Sequence, residues 1–162
     1  MPTFTNATYH FVQSEYDHWK SVADNNDTAS PTVDAPTVFT DSVQPIVEAG
    51  LATFIAPDAA ITPEISVIPS HGHTPGHVSV LIQSKGQTAV ITGDLMHNPC
   101  QIGHPDWSST YDSHPDEAAV TRRAFLERFA DTPAIVIGTH FGTPTGVHVR
   151  RDGSSFRLVP LQ

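Results

Sequence analysis

One cysteine, Cys100, is all the thiol chemistry that 162 residues carry. That excludes an internal disulfide framework and a zinc module built from several cysteines, and it suits a reducing cytosol. No apolar run approaches the ~18 residues that a membrane-spanning helix needs. The opening MPTFTNATYHF has neither the basic nor the apolar region of a secretory leader. A cytoplasmic protein with no membrane partner is the expectation. Positive charge is equally scarce, with 8 Lys and Arg against 17 Asp and Glu. Residues 1–115 hold two Lys and twelve acids, a net of −10, and residues 116–162 hold six Arg and five acids, a net of +1. With no basic stripe to follow a phosphate backbone, a nucleic-acid partner is excluded. Heptads, a solenoid period and a Rossmann glycine pattern are also missing.

What is present is an ordinary globular share of apolar residues, 38%, enough for a core in a chain of one-domain length. Histidine is in excess. The ten histidines are roughly two to three times ordinary usage, and no two are adjacent, so they are not a tag. Five of them (His71, His73, His77, His97 and His104) fall between positions 71 and 104, in a stretch that also holds Asp94. Clustered imidazoles with a carboxylate point to a metal site or to acid–base work near neutral pH.

Periodicity divides the chain into short elements. Residues 7–12 alternate like a half-buried strand, and Ser14 with Glu15 and Asp17 predicts a capped helix to Lys20. Residues 23–36 are rich in Asn, Asp, Ser and Pro and read as a surface loop. A helix is expected over 38–49, stopped by Gly50, despite Pro45. Strands follow at 65–68, 78–82 and 89–92, with a turn at Lys85 and Gly86. Pro115, with Asp116 and Glu117, opens a helix to about Ala130. Its apolar side is Ala118, Phe125, Leu126, Phe129 and Ala130, with Arg122, Arg123 and Arg128 among the polar positions. A buried strand at 134–138 and a closing hairpin turning at Asp152 and Gly153 complete an α/β or α+β chain.

Three polar groups come directly after buried strands. HGHTPGH, at 71–77, separates ISVIP from VSVLI. Asp94 ends the run before TGDLMHNP. His140 follows AIVIG in THFGTPTG. If these strands lie side by side, His73, Asp94 and His140 meet at one sheet edge. Taken singly, a histidine in a turn is more often a hydrogen-bonded structural residue, and an aspartate after a strand is usually a turn former. The repeated placement argues against that reading for the set.

HGHTPGH followed by TGD and then GTHFG resembles the second half of the metallo-β-lactamase fold superfamily. NATYHFVQSEYDHW, ITGDLMHNPCQIGHPDW and GTHFGTPTGVHVRRDG resemble its branch of quorum-quenching lactonases and organophosphate-type hydrolases. The resemblance runs from about Asn6 to Leu158. It implies an αββα sandwich, here its C-terminal part in one partial domain over 1–162. It further implies a zinc-dependent hydrolase of a lactone, ester or phosphotriester, acting through attack by metal-bound hydroxide on a small-molecule substrate. Carried over by position, His73 resembles a histidine of the first metal site, Asp94 the carboxylate shared by both ions, and His140 the histidine of the second. His97 stands where lactonase relatives often have a tyrosine that donates to a developing oxyanion; it either does that work or makes local hydrogen bonds. Catalytic roles are thus expected for Asp94 and His97. His71 and His77 are expected to be non-ligands, and Cys100 to stay off the metal. Asp106 and Trp107 line a pocket or plug the core.

The same resemblance exposes a gap. The superfamily's HxHxDH motif, which would supply four further ligands, does not occur in the chain. Three of seven ligands hold at most one ion weakly. The expectation is a C-terminal portion of a longer hydrolase, inactive or weakly active alone, that dimerises or associates with a missing N-terminal half. The alternative is a non-catalytic half-domain that serves as an interaction or metal-binding module.

Overall fold

The computed structural model describes residues 1–26 and 34–161, which form two compact units, Met1–Ala56 and Pro57–Gln162. In the first unit, β1 (Tyr9–Val12) runs directly into α1 (Gln13–Asp24). Ser14 is not a cap: Val12 holds that position, with no side-chain capping bond. The helix continues past Lys20 because side-chain pairs four residues apart support it, Trp19 to Glu15 at 2.8 Å and Lys20 to Asp24 at 2.5 Å. It ends where Asn26 takes φ 49°. Of the expected surface loop, residues 27–33 lie outside the described residues, and Asp34 caps α2 (Ala35–Val38) through the Thr37 N–H at 3.2 Å.

The helix expected over 38–49 is present, but it starts earlier, at Ala35, and is irregular in its middle. A π-turn spans Phe39–Val43 before α3 (Gln44–Glu48). Pro45 has no N–H to give to the preceding turn, and widening that turn accommodates its ring. Gly50, at φ 69°, then ends α3 as expected. A strand that the periodicity does not reveal, β2 (Ala52–Ile55), pairs in parallel with β1, Tyr9 opposite Ala52. Val12, Phe39 and Ile46 are buried here, and the Tyr16 ring meets Phe54 edge-on at 4.8 Å.

The second unit is a six-stranded sheet in simple sequence order: β3 (Ile65–Pro69), β4 (Val78–Ser84), β5 (Gln87–Ile91), β6 (Ile135–Ile137), β7 (Gly146–Asp152) and β8 (Ser155–Pro160). Neighbours are antiparallel except β5 and β6. A parallel pair needs a crossover, and this one carries α4 (Cys100–Gly103) and α5 (Pro115–Phe129). Lys85 and Gly86, at φ 51° and 75°, make the tight turn the sequence predicts. Register aligns Leu81, Val90, Val136 and Val147 in one buried row across four strands. With Phe125, Leu126 and Phe129 of α5 they form one core cluster. On the opposite face Val80, Ile91 and Ile137 form a second apolar row that is only half-buried.

One helix position departs from expectation. Arg122, read among the polar positions of α5, is completely buried. It lies four residues after Ala118 and four before Leu126, on the stripe that faces inward. Among the described residues no helix is long and apolar enough to cross a membrane. Leu126 is fully buried and Val120, on the same helix, is 71% exposed. Leu126→Ala should therefore cost ~2–5 kcal/mol in urea unfolding, whereas Val120→Ala should change stability by less than ~0.5 kcal/mol.

Candidate metal centre

The loop 71–77 is closed at its base by the Ser70 N–H to the His77 carbonyl at 3.0 Å. It is pinned to the segment before α5 by bonds from the Ser113 and His114 N–H groups to the His73 and Gly72 carbonyls, at 2.9 and 2.8 Å. Gly72 is required there: its φ is 121°, and a Cβ would lie 2.2 Å from the Ala118 nitrogen at the start of α5. This clamp turns the His73 ring towards the ends of β5 and β6.

Asp94 lies just beyond β5, in a short 3-10 turn (Gly93–Leu95). The Asp94 N–H donates to His77 Nε2 at 2.9 Å, so that nitrogen is the acceptor and the protonated Nδ1 faces the Ser70 carbonyl at 3.0 Å. His77 thus fixes the backbone that carries the carboxylate, in keeping with a non-ligand role. Across the parallel ladder, His140 follows β6, and the Thr92 N–H donates to the Ile137 carbonyl at 3.0 Å just before both side chains emerge.

The structure brings all four expected site residues together. His73 Nε2 is 3.4 Å from Asp94 Oδ2, and His140 Nε2 is 3.0 Å from Asp94 Oδ1. The carboxylate therefore presents one oxygen to each histidine. The His97 ring lies between them, 4.8 Å from the His73 ring and stacked on the His140 ring at 5.0 Å and 18°. Among the described residues His97 Nδ1 is buried without a hydrogen-bond partner. Burial, followed by the neighbouring His73, lowers the His97 pKa, against an opposing pull from Asp94.

Sequence reasoning missed the support beneath this cluster. Asp112 is buried, and its Oδ1 meets His73 Nδ1 at 3.2 Å. Its Oδ2 accepts from the Ser109 N–H at 2.9 Å and from Arg122 Nη2 at 3.3 Å. Arg122 also donates to the carbonyls of Leu95, Pro105 and Trp107, at 3.0, 2.8 and 2.8 Å. Burial alone would raise the Asp112 pKa, but the bonds from His73 and the Ser109 N–H, with the Arg122 charge, bring it below the ordinary value. Arg122 was detectable from its helix spacing. Asp112, in the irregular stretch STYDS, left no comparable signal.

The remaining candidates lie elsewhere. Cys100 is exposed on α4 and belongs to neither metal-type cluster among the described residues. Trp107 is not a core plug: it is 51% exposed and stacks on His104 at 4.1 Å. Asp106 is exposed beside α5.

Two groups of three side chains place one ligand atom each within 4.8 Å of the others: His73, His97 and Asp112, and Asp94, His97 and His140. Imidazole nitrogens with carboxylate oxygen suit zinc and similar divalent ions. The residues therefore fit a metal.

The mixed α/β fold brings the strand-end residues His73, Asp94 and His140 into one imidazole–carboxylate cluster. The sequence profile of the metallo-beta-lactamase superfamily matches residues 8–140, and the chain belongs to that superfamily. Its structure is similar to that of AidC, a dizinc quorum-quenching lactonase solved with its product, at TM-score 0.81 and 23% identity over 100% of this chain and 57% of that one. It is similar to the hydrolase AbOPH at TM-score 0.83 and 24% identity, over 97% and 56% of the two chains. A probable metal-dependent hydrolase from Staphylococcus aureus matches at TM-score 0.69 and 18% identity, over 98% and 54%. The chain thus spans just over half the length of these proteins. No curated protein sequence matches it.

Asp112→Ala should leave the Arg122 charge buried and unpaired, at a cost of about 3–5 kcal/mol in urea unfolding. Because the folded Asp112 pKa is depressed, its stabilisation is full above an unfolded value of about 3.9 and is lost as pH falls through the folded value. Wild-type stability should therefore fall more steeply below about pH 4 than that of Asp112→Asn, when both are measured by denaturant titration at several pH values.

Proposed function

We propose that this chain carries one side of a zinc-dependent hydrolase centre for a lactone, ester or phosphotriester, with His73, Asp94 and His140 as metal ligands. The observation that carries the reading is Asp94, whose two oxygens face two different histidines at 3.4 and 3.0 Å. A carboxylate divided in this way can serve two cations and reduce their mutual repulsion. A bound divalent ion would polarise a carbonyl or phosphoryl oxygen and acidify water.

The chain's own residues do the rest. Asp112 accepts the His73 Nδ1 proton and directs Nε2 at Asp94, the carboxylate–histidine arrangement that orients metal ligands. His77 sets the position of the Asp94 backbone. His97, lying between His73 and His140, is placed to donate to a developing oxyanion.

The names of the similar structures favour a lactone or organophosphate substrate. The absence of HxHxDH from the chain and its coverage of just over half of its neighbours favour low activity alone. The half-buried apolar row of Val80, Ile91 and Ile137 favours packing of a second copy or of another polypeptide there. The single cysteine favours a cytoplasmic setting. The same two facts also support a second reading, a half-domain that binds metal or a partner without catalysis.

The two readings separate in hydrolysis assays with the zinc-loaded chain, using an N-acyl homoserine lactone, an aryl ester and a phosphotriester. The hydrolase reading expects a zinc-dependent rate with at least one of them, reduced about 100-fold in Asp94→Asn and in His140→Ala. A rate no greater than that of free zinc with all three substrates would leave the non-catalytic module.

A further inference from the structure

We propose that the chain by itself binds one divalent transition-metal ion, on the His140 side of Asp94, through Asp94, His97 and His140. This rests on the metal-binding reading above and deepens it, because His97 becomes a ligand and the ion is assigned to one side of the shared carboxylate.

The choice between the two three-residue groups follows from what each carboxylate already does. Asp112 is buried and fully engaged, with contacts to His73, the Ser109 N–H and Arg122. Drawing it onto an ion would disturb the one carboxylate that Arg122 hydrogen-bonds among the described residues, at an energetic cost. Asp94 carries no such obligation. Its side chain is 40% exposed, as is 45% of that of His140, so ion and water can reach both.

His97 supplies the third donor. It belongs to both groups, and its Nδ1 is buried without a hydrogen-bond partner among the described residues. A buried polar nitrogen left unsatisfied is costly, and coordination would remove that cost. The backbone around His97 is already fixed: the side-chain oxygen of Gln101, itself 4% exposed, accepts from the His97 and Asn98 N–H groups at 2.7 and 3.1 Å. The ring lies close to parallel with those of Tyr111, at 6.0 Å and 22°, and His140, at 5.0 Å and 18°. His140 Nε2 and Asp94 Oδ1, 3.0 Å apart, are within a few tenths of the ~3.3 Å that separates two ligands on one ion with bonds of about 2.0 Å. An ion can therefore take the place of the proton they share.

Two imidazoles and one carboxylate suit Zn²⁺, Co²⁺ or Ni²⁺ rather than Mg²⁺ or Ca²⁺, which prefer all-oxygen sites. Three protein ligands leave the ion open to water, as in catalytic zinc sites. His73 is not a ligand in this state: it stays bound to Asp112 and faces the other oxygen of Asp94. A coordinated His97 can donate to an oxyanion only from its other ring nitrogen.

The test uses the full chain, stripped with chelator and titrated with Co²⁺. Visible spectra report affinity, and X-ray absorption counts the bound imidazoles. One Co²⁺ per chain and two imidazoles are expected. His97→Phe, which keeps a ring between Tyr111 and His140, should lower the count to one and weaken binding at least tenfold. His97→Gln should do the same, which guards against misfolding of either variant, and circular dichroism checks both. His73→Ala should keep two imidazoles on the bound ion, whatever it does to affinity by removing a neighbour of Asp94. If instead the His73 variant loses an imidazole and the His97 variants lose none, the inference fails and the hydrolase reading survives. Two ions per chain would also overturn it. No Co²⁺ bound at 1 mM by a folded wild-type chain would overturn the inference and the metal reading together.

Discussion

The buried ion pair of Arg122 and Asp112 supports every part of the cluster above it. A guanidinium wholly removed from water must satisfy its N–H groups inside the protein. Arg122 does so by gathering the carbonyls of Leu95, Pro105 and Trp107 along with the Asp112 carboxylate. Those carbonyls belong to the stretch between β5 and α5, which has little regular structure of its own. One side chain on a rigid helix therefore organises a loop whose other face carries Asp94, His97 and Tyr111. The neutralised Asp112 is in turn available to hold His73. The buried Arg122 charge is thus linked through Asp112 to the His73 ring.

A second layer of order comes from backbone rather than charge. Ser70, His77, Ser79 and Thr92 form a polar seam between β3, β4 and the end of β5: the Ser79 hydroxyl is 3.0 Å from both Ser70 Oγ and the Thr92 carbonyl. His77 extends this seam to the Asp94 N–H. The close fit at Gly93, where a Cβ would lie 2.7 Å from His77 Nε2, shows how tightly the seam and the 3-10 turn meet. The polar residues of the HGHTPGH loop therefore divide the work. His73 faces outward to the cluster, while His77 faces inward and holds the loop's neighbour.

Much of this was legible in the sequence, for identifiable reasons. The strand-end positions of His73, Asp94 and His140 could be read because buried strands are short apolar runs whose ends are sharp, and because neighbouring strands bring their ends to one edge. The hairpin at Lys85 and Gly86 and the start of α5 at Pro115 were legible because backbone conformation there is dictated by a single residue. Ser14 misled because capping chemistry identifies residues that can cap, while the helix started earlier, directly from β1. Pro45 marked an irregularity without revealing that a π-turn would absorb it. Arg122 was misjudged because charge was weighed above helical spacing. Asp112 was invisible because its importance lies in partners far along the chain, and no local pattern encodes them. β2 escaped because four residues, paired to a strand some forty positions earlier, have too little periodicity to stand out.

The parallel pairing of β5 with β6 acts as a ruler. Asp94 and His140 are 46 positions apart in sequence, yet their separation is set by two adjacent strands and not by the chain that joins them. That intervening chain, with α4 and α5, can change in length without moving either residue as long as Ile91 stays opposite Ile137 and the Arg122–Asp112 support is kept. A slip of one residue in that pairing would do what no loop change can. Alternation along the strand would turn one of the two side chains to the other face of the sheet and dismantle the pair without altering any residue in it.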